Sequence, residues 1–328
     1  MEKILGVYHK IDLDGWFSAA ILMYYYYNIE SKNVIVNMNG VEVLKQNEPT
    51  LILDLHGYNY NDQIDENFFD NYDQVFVMDV SFKNVLMEYL AKKLGKKFHY
   101  IDHHAPKILS VSEFIDFKNI SSTVNTANTP ADRKAACELT WEHLFGDNWD
   151  LPTIVKNISD FDCFRHKSFS KEESLATLEF QYGAGYFIHN PLEAYRYLLY
   201  SEDEAHNLHE IRYHGKIIYS DLKDQARQLY KNKSDLVVYD ISGNAYKACI
   251  TNKMRLNFSN FDIDYHKDGY DVQLCFHFSK GTWYFSVYNE NGKVDCASIA
   301  YKYGGGGHKG AAGFVMTSID SFLSNLLL

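Results

Sequence analysis

Short apolar runs that end in polar residues alternate with helically spaced segments through the first half of the chain. Ile4 to Tyr8 reads as a buried strand, and from Gly15 the segment WFSAAILMYYYYN places Trp16, Ala19, Ala20, Met23 and Tyr27 at a helical period. Val34 to Met38, Leu51 to Leu55 and Gln74 to Val80 are further strands, followed by a helix over Phe82 to Lys93 and a strand through Phe98, Tyr100 and Ile101. This alternation predicts βαβ units, and with them an α/β domain built on a parallel sheet. The polar stretch from Ser110 to Arg133 is expected to be a loop over the site. Helices follow over Ala131 to Phe145, closed by Gly146, and over Pro152 to Ser159.

From Pro191 to about Lys231 the pattern is helical and charged. Beyond it the period changes: Leu236 to Ile241, Ala245 to Ile250, Val272 to Phe278 and Trp283 to Tyr288 alternate like strands of a half-exposed sheet. A short helix over Cys296 to Tyr303 precedes the run YGGGGHKGAAGF. The expected division is a domain over 1–205, a helical connector over 206–235 and a smaller α/β domain over 236–328.

Composition narrows the function classes. With 328 residues, 46% hydrophobic and 16% aromatic content, 26 Tyr and only 5 Pro, the chain has the makings of two folded domains. A formal net charge of -11 speaks against a long sequence-independent grip on nucleic acid, which needs basic surface. A small phosphorylated ligand stays compatible if bound cations make the site locally positive. The five cysteines are scattered with no CxxC pair, as expected of thiols in a reducing cytoplasm. The amino terminus has no secretory-length apolar run, and no stretch approaches the roughly 20 apolar residues of a membrane span.

The polar tips of the strands carry the candidate chemistry. His9, Asp12 and Asp14 follow the first strand, Asp79 follows Met78, and Asp102, His103 and His104 follow Ile101. In an open parallel sheet ligands bind beyond the carboxyl ends of the strands, and imidazole with carboxylate suits divalent cations. Taken singly, Asp14 or Asp79 could be a helix cap. Several such tips in one domain are hard to explain as independent caps. ISDFDCFRH adds Asp160 and Asp162, and the glycines at 304–307 would let backbone amides approach an anion beside His308.

These pieces, H9-x-x-D-x-D-G15, Asp79, D102-H-H104, Asp160 and G304-GGGH-x-x-AAGF314, resemble the DHH phosphoesterase superfamily with its DHH-associated carboxy-terminal domain. The resemblance implies an active site in the cleft between the two domains and a pair of divalent ions, manganese foremost, with magnesium or cobalt as alternatives. It implies one ion on His9, Asp12 and Asp79 and the other on Asp14, Asp79, His103 and Asp160, with Asp79 shared. Asp160 is preferred over Asp162 because Asp160, Phe164 and Arg165 match the family's D-x-x-x-F-R spacing. His104 is expected to face the substrate, Asp102 to orient the histidines, and Gly305, Gly306, Gly307 and His308 to bind a far phosphate or base.

The implied activity is water attack on phosphorus in short oligoribonucleotides, linear dinucleotides or 3′,5′-bisphosphate nucleotides. Neither a long nucleic-acid partner nor a membrane is expected, and a homodimer is compatible. The alternatives are a RecJ-like single-strand exonuclease, suggested by the His9-x-x-Asp12 spacing, and a non-catalytic cyclic-dinucleotide sensor. One departure stands out: Tyr288 and Asn289 occupy the place of an Arg-Ser pair found in small oligonucleotide-cleaving relatives, with Lys309 or Arg255 as substitutes for the absent cation.

Overall fold

The computed structural model describes all residues except 31, 61, 128, 147–148, 200–203, 254–255, 320–325 and 328. The chain forms two compact units, Met1–Ile218 and Tyr219–Leu328. In the first, β1 (Glu2–His9), β2 (Val34–Met38), β3 (Val41–Lys45), β4 (Leu51–Tyr58), β5 (Gln74–Met78), β6 (Phe98–Asp102) and β7 (Ser121–Val124) make one seven-stranded sheet in the order β3-β2-β4-β1-β5-β6-β7. Every neighbouring pair is parallel except β2 and β3.

Both faces of the sheet are covered, which is why its strands read as nearly continuous apolar runs. Ile4, Phe76, Met78 and Ile101 turn to one face, where α1 (Leu13–Tyr24), α4 (Ala136–Phe145), α5 (Thr153–Asp162), α6 (Lys171–Phe187) and α7 (Pro191–Leu199) contribute the facing side chains. Leu5, Val7, Val75, Val77, Phe98 and Tyr100 turn to the other, against α2 (Asn84–Leu94) and α3 (Ala105–Ser112). β1 lies between β4 and β5, so its carboxyl end stands where the order of strand addition changes direction, the usual ligand crevice of such sheets.

The stretch expected to be a loop over the site is structured instead. The end of α3, a 3-10 turn at Phe117–Asn119 and β7 fall within it, and β7 extends the sheet beside β6. Val111, Ile115 and Ile120 of this stretch are buried, with Phe117 and Val124 partly buried against the same core, while Phe114 is exposed. The buried ones suffice because the rest of the core is already built on the neighbouring strands.

α8 (Glu204–Lys231) is one long helix that begins in the first unit and ends in the second. The second unit adds β8 (Ser234–Tyr239), β9 (Ala245–Thr251), β10 (Val272–Ser279), β11 (Thr282–Tyr288), α9 (Cys296–Lys302), β12 (Gly306–Gly307), β13 (Ala311–Met316) and β14 (Leu326–Leu327). Its seven strands form a mixed sheet, β12-β13-β11-β10-β9-β8-β14, one face of which packs on Cys296, Ile299 and Ala300 of α9. The fold class is therefore α/β throughout, with a mostly parallel sheet first and a second sheet after it. No helix among the described residues is long and apolar enough to cross a membrane.

A pair of histidines is built into the first unit away from the strand tips. His99 Nδ1 lies 2.8 Å from His143 Nε2, Thr123 Oγ1 lies 2.8 Å from His143 Nδ1, and Phe76 stacks on His99 at 3.9 Å. Burial, with His143 adding to it, pushes His99 down to about 3, and burial pushes His143 down to about 4. Unfolded, both titrate near about 6.5, so below that value the unfolded chain takes up protons that the fold refuses. Stability contributed by keeping them neutral is complete above about 6.5 and lost as pH falls toward about 4. Denaturant titrations at pH 7 and pH 5 should show the double variant His99→Gln, His143→Gln losing less stability over that interval than the wild type, by about 2 kcal/mol per histidine. Equal losses would contradict the pair's role.

Candidate metal centre

Register brings the polar tips together. β1 pairs with β5 on one side and β5 with β6 on the next, Tyr8 facing Met78 and Met78 facing Ile101, so His9, Asp79 and Asp102 emerge side by side at one edge. After β1 the chain must turn at once into α1. Asp12 caps that helix by accepting the Gly15 amide at 3.1 Å, and Gly15 itself cannot carry a Cβ, which would sit 2.0 Å from the His9 carbonyl oxygen. The turn therefore returns Asp12 and Asp14 to the crevice that His9 enters.

Asp14 is buried in the first turn of α1 and accepts the backbone amides of Ala136 at 2.9 Å and Cys137 at 2.7 Å. These are the first amides of α4, so the carboxylate meets the positive end of a helix. Asp14 Oδ2 lies 3.4 Å from His103 Nε2.

Asp79 holds the centre. Its backbone adopts φ +60, a conformation that costs a non-glycine residue on the order of 1 kcal/mol, and its amide donates to the Ile101 carbonyl at 2.9 Å. One carboxylate oxygen lies 3.5 Å from His9 Nδ1; the other lies 3.4 Å from His103 Nε2 and 3.7 Å from His104 Nδ1. Asp102, fully buried, accepts the backbone amides of His103 and His104 at 2.7 and 3.1 Å, the Tyr100 hydroxyl at 2.8 Å, and lies 2.7 Å from His104 Nδ1. It fixes both imidazoles and stands behind them.

The expected assignment of Asp160 is not what the fold delivers. Side chains two residues apart on a helix point about 200° apart around its axis, and here the two aspartates of α5 part company. Asp160 faces Arg165 Nε at 2.7 Å and Lys156 Nζ at 2.6 Å, while Arg165 also reaches Glu138 at 2.7 Å. Asp162 is the one that lies 3.2 Å from His103 Nε2. The spacing that favoured Asp160 does not register Arg165, a basic residue one turn on, which pairs with Asp160 in this structure.

The charge pattern is that of a site shaped for cations. Although burial would lower it, the Asp12 and Asp79 carboxylates push the His9 imidazole up to about 11. Burial, with the charges of Asp79 and Asp12 adding to it against the pull of His103, raises the Asp162 carboxyl to about 6. Despite its burial, Asp79 is held well below the usual carboxylate range by His103 and His9. Protonated histidines thus offset carboxylates that divalent ions would offset better.

Geometry supports the fit. His9 Nδ1 lies 2.9 Å from Asp12 Oδ2, yet neither this nitrogen nor Asp79 Oδ1 makes a hydrogen bond among the described residues, although both are buried. Atoms that crowd together without hydrogen-bond geometry aim at a shared point. Three groups of donor atoms lie within 4.8 Å of one another: His9, Asp12 and Asp79; Asp79, His103 and His104; and His103, Asp162 and Cys163. Imidazole and carboxylate donors in such sets suit divalent first-row metals. Cys163, expected only as a scattered thiol, places its sulfur 3.8 Å from His103 Nδ1, so that nitrogen faces away from the carboxylates.

The glycine run lies in the second unit. The amides of Gly304, Gly305 and His308 are spent on the carbonyls of Tyr301, Ala300 and Ala311. A Cβ on Gly305 would lie 2.1 Å from the Gly313 oxygen and one on Gly307 2.5 Å from Ala312 Cα, so close packing against β13 accounts for both glycines. Asn289 is buried, donating its amide to the Gly310 carbonyl at 3.0 Å and its side chain to the Asp271 carbonyl at 2.8 Å. Lys309 is exposed, with its carbonyl accepting the Cys296 amide at 2.9 Å. Arg255 lies outside the described residues.

Residues 3–161 match the family described as DHH family, N-terminal domain. The first unit thus carries a DHH-family N-terminal domain over these residues. Among individual proteins it is similar to an uncharacterized protein of Acanthamoeba polyphaga mimivirus, 22% identical over 326 residues that make up 97% of this chain and 68% of the relative. Its fold is like that of the DHH domain of a member of the s1p family of ribosomal proteins, with 13% identity, a TM-score of 0.52, and 99% of this chain and 85% of the other covered. It also aligns with PggH, a pGpG-specific phosphodiesterase from Vibrio cholerae, at 12% identity and a TM-score of 0.43, over 98% of this chain and 95% of the other.

Two variants separate the aspartates of α5. Asp162→Asn should lower the number of manganese ions retained in native mass spectrometry, whereas Asp160→Asn should retain them and instead lose about 1–3 kcal/mol of stability by stranding part of the Arg165 pairing. Equal metal loss in both would contradict the placement.

Proposed function

We propose that this chain is a divalent-metal-dependent phosphohydrolase that cleaves short oligoribonucleotides, linear dinucleotides or 3′,5′-bisphosphate nucleotides. The observation that carries this reading is the convergence of His9, Asp12, Asp14, Asp79, His103 and Asp162 on one crevice at the carboxyl ends of β1, β5 and β6 and the end of α5. One ion would be held by His9, Asp12 and Asp79 and a second by Asp14, Asp79, His103 and Asp162, so that Asp79 is shared. Such a pair, when bound, supplies Lewis acidity to phosphoryl oxygens and lowers the pKa of water.

The protein's own groups do the rest. Asp102 locks the His104 ring through Nδ1, which assigns proton transfer toward the leaving oxygen to Nε2. Four carboxylates, Asp12, Asp14, Asp79 and Asp162, match the charge of two divalent ions, so an anionic substrate meets a near-neutral centre. In the second unit, Gly305, Gly306 and Gly307 with His308 are assigned to binding a phosphate or base. The overall charge of -11 favours a short substrate over a long strand.

Incubation of the purified chain with manganese and end-labelled di- to pentanucleotides, alongside a 3′,5′-bisphosphate nucleotide, tests this directly. Cleavage of at least one, abolished by a chelator and falling with strand length, is expected. No turnover of any of them would overturn the proposal.

A further inference from the structure

β4 ends at the same edge as β1, His9 facing Tyr58 in the register, and its continuation brings a residue to the site that the strand-tip pattern did not flag. Tyr60 is fixed by a tight polar turn. Its amide donates to Asn59 Oδ1 at 2.8 Å, the Asn59 amide to Asp62 Oδ2 at 2.8 Å, and Lys10 pairs with Asp62 at 2.6 Å. The Tyr60 ring lies 6.0 Å from the His9 ring, and its hydroxyl is close enough to Asp102, Asp79 and Asp12 to feel their charge.

Over this ring, 5.1 Å from its centroid, stands the ammonium of Lys107. Lys107 belongs to the first turn of α3, its amide donating to the His104 carbonyl at 2.8 Å, so its backbone is tied directly to the DHH stretch. Among the described residues, Lys10 is committed to Asp62, Lys156 to Asp160, and Arg165 to Asp160 and Glu138. Lys107 has no such ion pair among the described residues. It is exposed and rests on an aromatic face, which orients a cation without neutralising it.

We propose that Lys107, carried on the Tyr60 ring, is the residue that binds the substrate's phosphate on the DHH side of the site. The inference deepens the phosphohydrolase reading and rests on it. A phosphodiester entering a centre whose carboxylates are matched by metal charge still brings its own negative charge, and an unpaired ammonium one helical turn from His104 is placed to meet it. It also supplies, within the first unit, a phosphate-binding cation of the kind that Tyr288 and Asn289 do not provide.

Binding of adenosine 5′-monophosphate to the manganese-loaded full chain, followed by calorimetry, reads this without turnover. Lys107→Met, which keeps the stem over the ring, should weaken binding by about 10- to 100-fold, the range of one charged hydrogen bond, and Lys107→Arg should restore most of it. Tyr60→Ala should weaken binding in the same direction by a smaller factor, with the manganese stoichiometry retained in all three. On a cleaved dinucleotide the Lys107→Met loss should fall mainly on KM. Unchanged nucleotide binding in Lys107→Met would overturn the inference. Weakened binding in a chain that cleaves no substrate would uphold it and overturn the phosphohydrolase reading instead.

Discussion

A buried carboxylate at the end of the central strands sets the terms for the first unit. Asp79 is almost inaccessible to water, is held at a positive φ, and has three imidazoles within 3.7 Å. An uncompensated charge in such a place would cost several kcal/mol, so the surroundings must supply cations. The fold supplies them from two directions, His9 from β1 and the His103-His104 pair from β6, and each direction depends on parallel register. Local strain at Asp79 is tolerated because the amide is tied to Ile101 on the neighbouring strand. The cost in backbone conformation is set against the placing of both carboxylate oxygens, one toward each histidine group.

Around that centre each further acidic side chain is fixed by a structural device that serves the fold as well. Asp12 is at once the cap of α1 and the neighbour of His9. Asp14 joins the start of α1 to the start of α4, so two helix ends are pinned by one carboxylate. Asp102 spends its lone pairs on two amides, a tyrosine hydroxyl and an imidazole. Removing any of these groups would therefore disturb geometry as well as charge. Activity loss alone cannot assign their roles, and metal stoichiometry or nucleotide affinity is the more discriminating readout.

Much of this was legible in the chain because a buried parallel strand announces itself as an apolar run, and a polar residue at its carboxyl end has few structural reasons to be there. β1, β2, β4, β5 and β6, and the tips His9, Asp79 and Asp102-His103-His104, were readable on those grounds. What escaped did so for physical reasons. β7, with only Val124 as a large apolar residue, is a strand because β6 offers it a ladder, not because its own sequence insists. α6 mixes Gly183, Gly185 and polar residues and shows little amphipathic contrast, yet its start was marked by the capping box of Ser170 and Glu173. Asp160 and Asp162 could not be told apart by spacing, since the decision lies with Arg165, Lys156 and Glu138. In the second unit the glycines of the 304–307 run were legible as a feature but not as packing, because only the proximity of β13 explains Gly305 and Gly307.

The central claim is that Asp79 joins two divalent ions into one centre. Electron paramagnetic resonance of the chain loaded with two equivalents of manganese tests it most directly, because two ions bridged by one carboxylate couple magnetically whereas separated ions do not. A coupled spectrum in the wild type that gives way to an isolated-ion spectrum in Asp79→Asn is the predicted result. An isolated-ion spectrum in the fully loaded wild type, or coupling that survives Asp79→Asn, would contradict the account.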